Sequence, residues 1–143
     1  MSRSLIFVLS TALSFTAFAN ERNIGKANAD LDIGIVQLLS NPEMADGLIV
    51  RTYGVLDVMH TPGLYLDKDS YRHKIRENSV FIKASDDFIR NNKDQLSKMD
   101  GSYVLLECNY KYSLNLNGIQ KDSLGNYIQS PTCKNLTRIM LMK

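Results

Sequence analysis

Gly47-Leu48-Ile49-Val50-Arg51-Thr52-Tyr53-Gly54-Val55-Leu56-Asp57-Val58-Met59-His60-Thr61-Pro62-Gly63-Leu64-Tyr65-Leu66 reads as two β-strands joined by a turn around Thr61-Pro62-Gly63. Side chains of a strand alternate between its faces, which puts Val50, Thr52, Gly54 and Leu56 on one side and Ile49, Arg51, Tyr53 and Val55 on the other. A glycine inside such a run marks a bulge or a sharp coil of the strand. The downstream chain extends this sheet.

Residues 67–78 are strongly charged and predict a surface loop or an irregular helical turn. Ser79-Val80-Phe81-Ile82-Lys83 is a third strand, rich in β-branched and aromatic residues. Residues 85–99 predict a helix, with Ser85 as its cap, Asp86 and Asp87 in its first turn, and Phe88, Ile89, Leu96 and Met99 along its inner edge. Asp100-Gly101 stops it. Residues 103–112 form a fourth strand, on which Val104, Leu106, Cys108, Tyr110 and Tyr112 alternate with Leu105, Glu107, Asn109 and Lys111. Residues 114–131 carry the turn pairs Asn117-Gly118 and Gly125-Asn126 and read as a long excursion with a small hairpin through Tyr127-Ile128. Residues 136–142 make the last strand. Upstream, Leu31, Ile35, Leu38 and Leu39 recur at helical spacing, with Asp30 or Asp32 as cap and Ser40-Asn41-Pro42 as stop.

The order strand, strand, strand, helix, strand, strand resembles the OB-fold, and the Val50-x-Thr52-x-Gly54-x-Leu56 pattern is similar to the first strands of small secreted bacterial barrels of this type. The resemblance covers residues 47–142. It implies a mainly β fold with helices (α+β): a five-stranded Greek-key barrel with a helix between its third and fourth strands, here with an extra N-terminal helix. Such barrels commonly bind ligands on the face of their second and third strands. That implies a contact surface made by Arg51, Tyr53, Tyr65, Tyr71, Arg72 and Lys74, with tyrosine and arginine exposed side by side. A solvated face, on which Asp67, Asp69 and Glu77 balance the cations, is the plainer reading of the same residues.

The 143 residues suffice for one domain. Residues 1–19 have a signal-peptide pattern: Arg3, an apolar stretch from Leu5 to Phe18, and Ala17-Phe18-Ala19 before the cut. Residues 20–30 then form a flexible leader and 31–143 a single globular domain. Loss of Arg3 leaves 16 basic residues against 15 acidic. That balance offers no clustered positive surplus for a nucleic acid. No cysteine near the cut could carry a lipid, so no membrane anchor is expected. Export to the periplasm or beyond places the two cysteines, Cys108 and Cys133, in an oxidising compartment. One disulfide is the simplest outcome, two buried thiols the alternative.

Catalytic patterns are scarce. The histidines are His60 and His73 only, and no Gly-x-Ser-x-Gly is present. Asp67-Lys68-Asp69 invites a metal, but a calcium loop counted from Asp67 would need glycine where Arg72 stands and glutamate where Asn78 stands. No metal and no cofactor are expected. Asn135-Leu136-Thr137 matches a glycosylation acceptor in form only. The expected function is a non-enzymatic, exported binding module of the bacterial envelope, whose partner is a protein or an envelope oligosaccharide. The alternative is a small hydrolase assembled from Asp57, Asp67 and Glu107.

Overall fold

A computed structural model describes residues 23–59, 62–112, 120–121, 127–128 and 131–142. The elements run β1 (Asn23–Gly25), β2 (Leu31–Asp32), α1 (Ile35–Ser40), a 3-10 turn (Pro42–Ala45), β3 (Ile49–Asp57), β4 (Gly63–Tyr65), α2 (Lys68–His73), a 3-10 turn (Arg76–Asn78), β5 (Ser79–Lys83), α3 (Asp86–Asn91), α4 (Lys93–Met99), β6 (Tyr103–Lys111), β7 (Gln120–Lys121), β8 (Tyr127–Ile128) and β9 (Thr132–Leu141). β3 pairs antiparallel with both β4 and β6, β4 with β5, and β6 with β9, while β5 runs parallel to β9. The circuit β3-β4-β5-β9-β6 closes on itself as an OB-like barrel, with α3 and α4 inserted between its third and fourth strands.

β3 can serve two partners along one edge because it is long and coiled. Its first half pairs with β2 (Leu31↔Val50) and its end with β4 (Val55↔Tyr65), while β6 takes the other edge throughout. Gly54 sits at the crossing. A Cβ there would stand 2.5 Å from the Tyr65 carbonyl oxygen and 2.9 Å from Leu64 Cγ. The strand coils here without a bulge, because only a residue lacking a side chain lets β4 approach so closely.

The face read as inward is buried, while from Gly54 to Asp57 of β3 and at Glu107 of β6 the opposite face is covered too. Val50, Thr52, Leu56, Val104, Leu106, Cys108 and Tyr110 are buried, joined by Leu64, Val80, Ile82, Cys133 and Ile139. Cys108 and Cys133 form the disulfide, with Cα atoms 5.4 Å apart, and it ties β6 to the start of β9. That strand begins at Thr132, four residues before the apolar period suggests, and its register shifts on either side of Cys108. Asn135, at φ 49°, lies in the irregular stretch. The hairpin through Tyr127-Ile128 is present as β7 and β8.

Three expectations need correction. The N-terminal helix starts at Ile35, not Leu31, because Leu31 and Asp32 are drawn onto the edge of β3, where the Ile33 N–H donates to the Arg51 carbonyl at 2.9 Å. Gly34, with no side chain to offer, stands where Asp30 or Asp32 was expected to cap. The helix of residues 85–99 is two short helices. Ser85 caps the first, accepting from the Phe88 N–H at 3.2 Å. Asn92 breaks the run by donating its side-chain amide to the Phe88 carbonyl at 2.8 Å. Finally, the part of the leader that is described is not loose. Asn23–Gly25 pairs with β9, and the Asp30 N–H donates to the Ile49 carbonyl at 2.7 Å.

The ends of the barrel are covered differently. At one, α1 packs Ile35 and Leu38 into the core, and the Tyr110 hydroxyl reaches the Leu38 carbonyl at 3.5 Å. At the other, α3 and α4 lie across the mouth with Leu96 and Met99 buried.

Candidate functional site

The six residues of the expected contact surface do not form one face. Tyr53 is exposed, at 54%. Arg51, two positions earlier on the same side of β3, is turned sideways to Glu107. Tyr65 is 1% exposed, which overturns its expected place on an open surface. The cause is α2. The charged segment folds back over β4 and β3, with Asp67 as its cap accepting from the Ser70 N–H at 2.7 Å and Lys74 ending it in the left-handed conformation at φ 53°.

Beneath α2, Lys74 and the tyrosines bind each other. The Lys74 ammonium donates to Asp57 Oδ2 at 2.6 Å and lies 3.8 Å from the centre of the Tyr71 ring, which meets Tyr65 edge-on at 6.0 Å. The Tyr71 hydroxyl donates to Asp100 Oδ2 at 2.9 Å, and burial followed by that carboxylate pushes its pKa up to about 12. Asp57 itself is fully buried. A cation, its counter-charge and two rings satisfied in this way hold α2 onto the barrel rather than await a ligand. Arg72 reaches outward, in an exposed pair with Asp69 at 3.6 Å.

The carboxylates proposed for hydrolysis are spent separately. Asp57 belongs to Lys74, and Asp67 caps α2, whose first-turn amide hydrogen bonds hold its carboxyl below the usual range. Glu107 stands on the outer side of β6 between Arg51 of β3 at 2.7 Å and Arg138 of β9 at 3.5 Å, and its Oε2 accepts from the Asn28 N–H at 2.9 Å. Burial alone would raise the Glu107 pKa, but the Asn28 amide and the two arginines outweigh it and hold the value below normal. The segment that carries Asn28 is therefore strapped over the outer face of the barrel, and the three acids do not converge. His73 is exposed, and His60 lies outside the described residues. Among the described residues no group of three or more His, Cys, Asp or Glu side chains could hold a metal ion.

An open apolar concavity lies at the α3–α4 end. It has a volume of about 310 Å³. Leu56 and Val58 of the β3 end, Pro62, Phe81, Ile82 and Lys83 of β5 with Ala84 after it, Phe88, Ile89 and Leu96 of the two helices, and Leu136 and Ile139 of β9 line it. The cavity lies beside the two short helices, which are broken at Asn92, and reaches core residues Leu56, Ile82 and Ile139. Sequence reading assigned Phe88, Ile89 and Leu96 to a helix face seated on the core and gave no sign of a space beneath it. The one available signal was Phe81, a large apolar residue out of phase between Val80 and Ile82.

The topology is that of an OB-like barrel, and an apolar cavity lies beside its capping helices. No family model matches the sequence, and no curated protein and no solved structure gives a significant match.

Proposed function

We propose that the protein is an exported, non-enzymatic binding module, and that the apolar cavity between α3, α4 and the barrel is its binding site. The observation that carries this reading is the cavity's wall: eleven of its twelve lining residues are apolar, and Lys83 is the exception. Concave, largely apolar sites with a few polar groups at the edge are the usual form of small-ligand pockets, which measure roughly 300–1,000 Å³. A sugar would require an array of hydrogen-bonding groups that this wall lacks, so an apolar ligand is the better fit. The disulfide supports an oxidising compartment, as the signal pattern of residues 1–19 does. None of the described residues belongs to a helix long and apolar enough to cross a membrane. The test is an NMR titration of the purified, oxidised protein with benzene as a small apolar probe. Saturable shifts at the methyl groups of Ile82, Leu96 and Ile139 are expected. Shifts scattered over the surface, or none, would reject the site.

A further inference from the structure

Resting on that reading, we propose that the cavity takes the hydrocarbon chain of a single-chain fatty acid, with the carboxylate held outside by Lys83 and Lys134. Lys83 lines the cavity and is the register partner of Lys134 across the parallel pair β5 and β9. Register partners project from the same side of a sheet, so the Lys134 side chain leaves the sheet beside that of Lys83. Both side chains are exposed, and neither is paired with a carboxylate among the described residues, whereas Arg51, Arg72, Lys74, Arg90 and Arg138 all are. Two neighbouring cations beside an apolar hole are complementary to a ligand with an anionic head and an uncharged tail. The acids nearest in sequence are Asp86 and Asp87 at the start of α3, and Asp87 is already held by Arg90 at 2.8 Å.

A peptide is the other class of partner for such a site, and the strand pairing disfavours it. An extended peptide would add to a free strand edge. β3, β5 and β9, which border the cavity, are each paired on both sides. With a volume of about 310 Å³ the cavity is at the small end for ligand sites, which suits one hydrocarbon chain rather than two.

Calorimetric titration of the oxidised protein with hexanoate, octanoate, decanoate and 1-decanol, each below its aggregation threshold, tests the assignment. One carboxylate per protein should bind, with affinity rising about fourfold per methylene until the cavity is full. The double variant Lys83→Ala, Lys134→Ala should lose roughly 3- to 10-fold in affinity for decanoate and nothing for decanol, since each exposed pair contributes little and the tail contacts stay. Ala84→Leu, placed at the half-exposed rim, should block both ligands while keeping the thermal midpoint. Carboxylate affinity that ignores chain length, or that survives loss of both lysines, overturns the proposal. If decanol or benzene enters and no carboxylate does, the ligand class is wrong and the cavity reading stands; if neither enters, both fall.

Discussion

Arg51 Nε donates to Glu107 Oε1 across 2.7 Å, joining adjacent strands on the outer face of the barrel where the strapped segment covers them. Glu107 has no exposed surface, and Arg138 approaches it from the other side. Glu107→Gln should therefore cost about 2 to 3 kcal/mol, somewhat below the roughly 3–5 of a fully buried broken pair because both arginines keep some contact with water. The pH dependence has a definite sign. The native carboxyl sits below its ordinary value of 4.5, so its contribution is complete above that pH and fades as the pH falls through the depressed native value. Urea unfolding of the variant should consequently show a flatter acid limb than wild type. An unchanged acid limb would mean the network contributes nothing.

Tyr65 and Arg72 separate a structural role from a surface one. Tyr65→Ala removes a fully buried ring that packs against Tyr71 and should cost roughly 3–5 kcal/mol, the range for aromatic truncation in a core. Arg72→Ala removes an exposed partner of Asp69 and should stay within about 0.5 kcal/mol. Equal thermal midpoints for the two variants would show that α2 is not held on the barrel by this cluster.

The difference between these two residues also shows where sequence reading stops. Periodicity of two placed Val50, Leu56, Leu106 and Cys108 inside, because burial on one face of a strand leaves a local trace. The barrel was legible only through the order of elements, which resembles that of the OB-fold. Tyr65 lies on the outward register and is buried all the same, since α2 folds over it, and that contact spans segments with no shared period. The strap over Glu107 is a contact of the same kind: it joins residues 79 apart, and a polar stretch such as 23–30 carries no sign of it. The cavity was illegible for a further reason. An apolar helix edge reads the same whether it fills the space below it or leaves it open.

Removing the disulfide gives a test of loop closure. Cys108 and Cys133 close a loop of 25 residues, for which the chain-entropy model gives about 3.5 kcal/mol. Both side chains are fully buried in the barrel, so replacement by Ala at each position should show at least that loss in guanidinium unfolding. Reduced wild type should fall with the double variant. A loss under about 1 kcal/mol would show that the unfolded chain is already restrained in this region.

Gly54 and Gly34 should respond to substitution with opposite signs. In a strand, replacing glycine by alanine ordinarily gains roughly 0.5–1 kcal/mol, because the unfolded chain loses freedom. At Gly54 the added methyl would stand 2.5 Å from the Tyr65 carbonyl oxygen, and backbone cannot yield as a flexible side chain can. β4 would have to move away from the coil of β3, disturbing the Val55↔Tyr65 pairing and the α2 cluster above it. Overpacking of this kind costs about 1–3 kcal/mol, which exceeds the entropic gain and reverses the sign. Gly34 stands in open space, with nothing within 4 Å of an added Cβ, at φ −70° and ψ 147°. Serine at that position can cap α1, which now has no side-chain cap, and should stabilise by a few tenths of a kcal/mol. Urea midpoints of Gly54→Ala and Gly34→Ser on either side of wild type are the expected result. A stabilised Gly54→Ala would refute the close approach of β3 and β4 on which closure of the barrel depends.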